Sequence, residues 1–259
     1  MENTFKKQPE KTLLSSIKKT GGRGNTGRIT VRHRGGGSRR LYRQVDFGQG
    51  TMGVPGKVLA LEYDPNRSSF LALVEYGNGR KAYVLAPHEL KEGDEIVTQD
   101  KAELKTGNRM RLANIPVGTM VYNVELVPGR GGKIARGAGA TVQVLAHEAG
   151  YTHLALPSTQ VRKVPSQSFA SVGMISNQEH RYQRVRKAGS TRLKGRRPKV
   201  RGTAMNPVDH PHGGGEGRTG RGMKHPKTPW GKPALGVKTR RKKWSDKLIL
   251  QRRKKKKRK

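Results

Sequence analysis

The clearest hydrophobic pattern lies in the middle of the chain. KVLALEY (57–63) alternates apolar and polar side chains, the period of a strand with one buried face. DPNR (64–67) reads as a turn in which Asp caps the backbone and Pro presets φ. SFLALVEY (69–76) follows as a second strand. GNGR (77–80) is a hairpin turn of residues that tolerate positive φ, and KAYVLAP (81–87) is a third strand. KEGDEIV (91–97) adds a glycine turn running into another strand. This meander, with few helical signals, predicts a small barrel sheet. LANIPVG (112–118) reads as a linker with a Pro-Val-Gly bend. A second β-set follows in TMVYNVELV (119–127), TVQVLAH (141–147), THLALP (152–157) and VRKVP (161–165). Its even spacing predicts a second small barrel. The expected fold is therefore mainly β, with two domains that meet near 105–118 and are each large enough for one core.

The pattern fails towards the ends. From Lys187 onward nearly every position is glycine, proline or a cation, and the apolar residues Leu193, Val200, Met205, Val208 and Leu235 stand alone. No period of 2 or 3.6 survives, so this segment is expected to be disordered by itself and protease-sensitive from about 185 in the free protein. Glycine lets the backbone pass close to another surface, and proline keeps it extended. That is the chemistry of a chain threaded through folded RNA.

Charge sharpens this division. The 259 residues carry 55 Lys+Arg against 18 Asp+Glu, a net charge of +37. Residues 1–50 hold 12 basic and 3 acidic groups, 51–180 hold 14 and 12, and 181–259 hold 29 and 3. The middle is electrostatically ordinary, and the excess sits in two arms. Self-repulsion on this scale calls for a polyanion, and nucleic acid is the obvious one. The closing run RRKKKKRK (252–259) is expected to be solvated or phosphate-bound rather than a packed helix, with a nuclear address or solubility tail as the bland alternative. No apolar run has the length of a membrane span, there is no amphipathic face or lipid anchor for a membrane surface, and MENTFKKQPEK lacks the apolar core of a secretory signal. The absence of cysteine excludes disulfides, thiolate zinc sites and a cysteine nucleophile.

Three stretches invite a chemical reading. GRITVRHRGGGSRRLYR (27–43) interleaves Arg28, Arg32, Arg34, Arg39, Arg40 and Arg43 with Gly35–Gly37. Guanidinium forks suit phosphates and stack on bases, and His33 and Tyr42 offer further stacking; a solvated basic loop is the plainer reading. PGRGGKIARGAGA (128–140) brings Arg130, Lys133 and Arg136 to phosphates, or is a plain hairpin loop. It holds neither a GxxxxGK[ST] nor a GxGxxG pattern, so no nucleotide-phosphate site follows. MNPVDHPHGGGEGR (205–218) looks like an enzyme site. Yet His210 and His212 lack a third protein ligand and a rigid scaffold for a metal. Acid/base work by His210 with Asp209 would need an apolar pocket that neighbours of this kind do not build. The glycine run suits a phosphate or another external surface.

At this point the sequence resembles a known family. GGRGNTGRITVRHRGGGSRRLYR, LEYDPNR, GNGRKAYVLAP, NIPVGTMVYNVEL, PGRGGKIARGAGA, KAGSTRLKGRRPKVRGTAMNPVDHPHGGGEGR and HPKTPWGKPALG run in order over about 21–259. Together they resemble the large-subunit ribosomal protein two family in its bacterial-type form. Members usually carry further residues ahead of the stretch matching ENTFKKQPEKTLL, and that segment is expected to be short or absent here. The resemblance implies a basic N-terminal extension (1–40), an OB-fold RNA-binding domain (41–105), an SH3-like barrel (106–185) and a Gly/Pro/basic C-terminal extension (186–259). It implies direct binding to large-subunit rRNA, help in shaping the peptidyl-transferase region, subunit association and tRNA placement. Arg192, Lys194, Arg196, Arg197 and Arg201 join the candidate rRNA contacts. The resemblance further implies that Asn206, Asp209, His210, His212, Gly213, Gly214, Gly215, Glu216 and Arg218 form a loop near the peptidyl-transferase region.

In the family the histidine matching His210 is implicated in that activity, although the rRNA does the chemistry; the chain is therefore expected not to be an enzyme. The expected partners are large-subunit rRNA, the small subunit and other ribosomal proteins, without membrane or homo-oligomer. No metal site or cofactor is expected, beyond Mg²⁺ bridging to rRNA phosphates. The expected compartment is the cytoplasmic ribosome of a bacterium, or else a plastid or mitochondrial ribosome. Two competing functions remain: an rRNA-assisting catalyst using His210 as proton carrier, and a generic DNA-binding protein.

Overall fold

In the computed structural model, which describes residues 8–48, 52–238 and 241–253, fifteen short strands and little helix follow one another. Strands β1 (Leu14–Ser16) and β2 (Leu41–Arg43) pair antiparallel. The predicted meander is β3 (Gly56–Glu62), β4 (Leu71–Tyr76) and β5 (Lys81–Leu85), and β6 (Glu95–Ile96) pairs with the outer edge of β3. On the far edge Val45, just after β2, bridges Tyr83 in parallel. Five strand segments thus curl into a small barrel of OB-fold type.

Both predicted turns form. The Asp64 carboxylate accepts from the Asn66 N–H at 2.8 Å, and the Tyr76 carbonyl accepts from the Gly79 N–H at 2.8 Å. Gly79 has φ +74, and a Cβ placed there would meet nothing within 4 Å. Gly79→Ala therefore isolates the cost of the left-handed backbone, expected at about 1–2 kcal/mol in chemical denaturation.

The unbroken run in β4 has a packing reason. Leu71, Ala72, Leu73 and Val74 are all buried. Ala72 and Val74 pack with Val58, Tyr76, Ala82 and Leu90. Leu71 and Leu73 face the other way, onto Ala60, Tyr83, Leu85, Tyr122 and Ile175. Tyr122 and Ile175 come from the next barrel, so both faces of β4 are covered.

That barrel begins with β7 (Arg109–Arg111) and contains β8 (Met120–Tyr122), the hairpin of β9 (Val124–Glu125) and β10 (Gly132–Ile134), then β11 (Val142–Glu148), β12 (Tyr151–Ala155), β13 (Val161–Pro165) and β14 (Phe169–Val172). The last strand, β15 (Ile249–Gln251), joins its edge, giving the antiparallel order β15-β13-β12-β11-β8-β14-β7. Met110, Leu112, Ile115, Val121, Val144 and Leu154 lead its core, that of an SH3-like barrel. The stretch expected as a linker, 112–118, thus carries two core side chains. Leu112 starts a 3-10 turn that folds Ile115 inward, and the Thr119 N–H to Pro116 carbonyl bond supplies the bend.

A buried ion pair sits under this barrel. Arg109 and Glu125 are 3% and 1% exposed, and Arg109 Nη2 donates to Glu125 Oε1 at 3.0 Å. Burial holds the Arg109 pKa below its ordinary value, opposed chiefly by Glu125. Glu125 also accepts from the backbone N–H groups of Gly129, Gly131 and Phe169.

The expected succession of extension, barrel, barrel and extension is redrawn. One unit comprises 1–17, 40–184 and 245–259; the other comprises 18–39 and 185–244. The termini split because β1 pairs with β2 and β15 pairs with β13, returning 14–16 and 249–251 to the barrels. The basic closing run lies, from 254 onward, outside the described residues.

Candidate nucleic-acid interface

The second unit is built almost without a core. Its 82 residues hold 25 cations and only two acids, Asp209 and Glu216. Among its described residues one is buried, His210. Its regular structure amounts to the short helix α1 (Ala188–Leu193) and a 3-10 turn at Gly202–Ala204. What joins its two segments is backbone pairing. Gly35 N–H donates to Gly195 O at 3.1 Å, Ser38 N–H to Leu193 O at 3.0 Å, and Arg197 N–H to His33 O at 3.0 Å. The His33 ring adds Nδ1–H to Pro198 O at 2.8 Å, so this ring is tied into the join through one nitrogen. A segment read as disordered by itself has a chain partner that local patterning does not reveal.

The join brings the predicted cations together. Arg32, Arg34 and Arg197 line one concavity of about 560 Å³, with Arg23, His33 and the backbone of Gly35 and Gly36. No carboxylate lines it. Such a basin offers several guanidinium forks to consecutive phosphates. Arg28, Arg39, Lys194, Arg196 and Arg201 are exposed on the same unit, and Arg192 is half-buried on α1. Sequence reasoning missed Arg23, which stands in a glycine turn ahead of the arginine-rich stretch, and Trp230. Trp230 is 76% exposed and lies beneath the Arg32 guanidinium at 5.7 Å.

The MNPVDHPHGGGEGR loop has its own order. Asn206 O accepts from the N–H groups of Asp209 and His210, and Gly213 N–H donates to His210 O at 2.8 Å. The His210 ring fills the space beside Gly202, where a Cβ would stand 2.5 Å from Cε1, so only glycine lets the ring in. His210 Nδ1 accepts from the His212 N–H at 3.0 Å, and His212 Nε2 accepts from the Lys227 N–H at 2.9 Å. The rings lie 4.6 Å apart and tilted by 52°. Each bond needs a lone pair on the accepting nitrogen, so neither His210 Nδ1 nor His212 Nε2 carries a proton in this arrangement.

Desolvation first, then the nearby His210 and Arg221, hold the His212 pKa below its ordinary value. A base depressed in the folded loop binds fewer protons than in the unfolded chain. This contribution to loop stability is therefore complete above about pH 6.5 and is lost as pH falls through the lower folded value. In NMR titration His212 is expected to protonate below pH about 6.5, with the Lys227 amide shift moving at the same midpoint. A midpoint above the ordinary histidine value would contradict the clasp. Gly214, Gly215, Glu216 and Arg218 continue the loop, pinned by Thr219 Oγ1 to Gly214 O at 3.0 Å. Among the described residues no group of three His, Asp or Glu side chains is arranged to hold a metal ion, and no helix is long and apolar enough to cross a membrane.

The remaining predicted contacts belong to the barrels. Arg130 is exposed in the β9–β10 turn, Lys133 on β10, and Arg136 just beyond, its guanidinium 4.4 Å from the Phe47 ring. Arg67 stands over Phe47 and Tyr42 at 5.9 and 5.6 Å, so cations and aromatic rings alternate there. Phe47 and Arg67 carry no local signal for this. Arg40 donates to Pro65 O at 2.9 Å. Arg43 departs from the expectation of a phosphate contact. It is buried on β2, 3.8 Å from both Glu62 and Asp64, and balances carboxylates inside the barrel.

Comparison with known proteins agrees with this geometry. Residues 10–98 match the family model for Ribosomal Proteins L2, RNA binding N-terminal domain, and residues 105–231 match that for Ribosomal Proteins L2, C-terminal domain. The chain is also similar to the large ribosomal subunit protein uL2 of Phenylobacterium zucineum (strain HLK1). The two are 54% identical over 245 residues, which cover 95% of this chain and 88% of the relative.

Proposed function

The chain belongs to the ribosomal protein L2 family, and on that premise we infer that it is a structural component of the large ribosomal subunit, bound directly to its rRNA. The observation that carries this is the second unit, net +23 with His210 as its single buried residue among those described. Ordering a residue costs about 1–2 kcal/mol, and this unit has no apolar core to offset that cost. Phosphate neutralisation with counterion release is the compensation its composition allows. The barrels form the scaffold, and the arginine basin and the 205–218 loop are the surfaces that RNA completes.

The finer reading places that loop towards the peptidyl-transferase region, with roles in subunit association and tRNA placement on a bacterial cytoplasmic ribosome. Mg²⁺ there would bridge rRNA phosphates rather than occupy a cage of protein ligands. The geometry does not favour His210 as a proton carrier. Its ring is enclosed and its Nδ1 already holds the loop closed. His210→Gln is expected to impair incorporation into large subunits while leaving peptide-bond formation near normal in the subunits that do assemble. A loss of about 10²-fold or more in correctly assembled subunits would instead establish a chemical role. In the free protein, folded large-subunit rRNA should outcompete duplex DNA at raised salt. Equal salt-resistant affinity for both would overturn the rRNA reading in favour of generic DNA binding.

A further inference from the structure

An open cleft of about 440 Å³ lies in the second unit, lined by Arg32, Val200, Ala204, Met205, Asn206 and Asp209. This is the size range of small-ligand sites. Its make-up differs from that of the neighbouring arginine basin, with which it shares Arg32. Val200, Ala204 and Met205 give it apolar walls in a unit where apolar side chains are scarce. The Arg32 guanidinium also stands over the Trp230 ring at 5.7 Å.

The polar pair in the cleft is the informative part. Asp209 is one of two carboxylates among 27 charged residues of the unit. Among the described residues no cation stands within ion-pair distance of it, so it is not there to neutralise an arginine. A carboxylate repels phosphate, so its partner in a phosphate-binding unit must be a hydrogen-bond donor. The Asp209 N–H donates to Asn206 O at 3.0 Å, so one tight turn sets both side chains at the cleft. An unpaired base presents its Watson–Crick edge to such groups. Adenine, cytosine and uracil each offer one donor group on that edge. Guanine offers two adjacent donors, N1–H and N2–H, beside the acceptor O6. A carboxylate takes the two donors bidentately, and the Asn206 amide supplies a donor for O6.

We propose that this cleft receives one unpaired guanine of RNA, the base lying between its apolar walls, Asp209 and Asn206 reading its edge, and the adjoining phosphates lying in the arginine basin across Arg32. The site rests on the rRNA-binding reading and adds a base preference to it. The test uses the full-length protein and fluorescein-labelled pentaribonucleotides UUGUU, UUAUU and UUIUU, where I is inosine, with anisotropy as readout at moderate salt. UUGUU is expected to bind at least about tenfold tighter than UUAUU, the scale of one bidentate base contact, with UUIUU between them because it lacks the N2 donor. Asp209→Asn should abolish the difference between UUGUU and UUAUU, whatever the common shift that loss of one negative charge gives to both. Asn206→Ala should narrow the same gap. Equal affinity for the three oligonucleotides, a preference that persists in Asp209→Asn, or a preference that vanishes on removing Mg²⁺ would each overturn the proposal. Binding of folded large-subunit rRNA by the same preparation reports separately on the rRNA reading, so loss of the base preference and loss of rRNA binding are distinguishable.

Discussion

Replacing Glu125 by alanine is expected to destabilise the barrel unit by about 3–5 kcal/mol, read as a lower urea midpoint at unchanged slope. The loss leaves the Arg109 guanidinium buried without its counter-charge and removes the acceptor for three backbone N–H groups. Those amides separate this pair from an ordinary buried salt bridge. Exchanging both partners of a buried pair for apolar residues is often neutral or stabilising. Here Arg109→Met with Glu125→Leu would still strand Gly129, Gly131 and Phe169, at about 1–3 kcal/mol for each donor left unsatisfied. The double variant is therefore expected to remain less stable than the parent. Equal stability would mean that the carboxylate is not what organises the β9–β10 turn.

Neutralising Arg23, Arg34 and Arg197 together as glutamines is expected to have the largest effect on RNA binding. Each phosphate contact contributes about 0.7–0.9 to the slope of log affinity against log salt, so the slope should flatten by about 2–3. Affinity for large-subunit rRNA should fall on the order of 10²-fold. All three line the same concavity, where no carboxylate offers them a partner. Converting Lys91, Lys101 and Lys105 of the barrel unit to glutamine removes the same charge from exposed positions elsewhere. That control should leave the slope nearly unchanged. If both triples flatten it alike, binding follows total charge and the basin has no special place.

What was legible in the sequence follows from how locally each feature is encoded. β3, β4 and β5 lie within a residue or two of their predicted spans because alternation and turn chemistry are both local. β13 matches VRKVP residue for residue. β7 and β14 were invisible for opposite reasons. RMR looks like an exposed basic triplet because the carboxylate that buries Arg109 lies sixteen residues away. FASV is too short to show a period. Arg43 misled in the same way, since Glu62 and Asp64 come from the far end of β3 and beyond. In the second unit the cations and the coreless composition were plain, but the pairing of 33–38 with 193–197 was not. Backbone hydrogen bonds between irregular glycine-rich segments leave no pattern in side-chain type.

That pairing also sets a clock. Ser38 leaves the site of synthesis well before its partner Leu193 is made, and at about 5–20 residues per second the intervening chain takes about 8–30 s. Throughout that interval the first arginine-rich arm is a cationic tether with no chain to close on. The barrels can fold meanwhile, since nearly all their strands are complete before Leu193 appears. Large-subunit rRNA present nearby would then meet the two halves of the basic unit in succession, capturing the early arm first and receiving the late one onto a surface already half occupied.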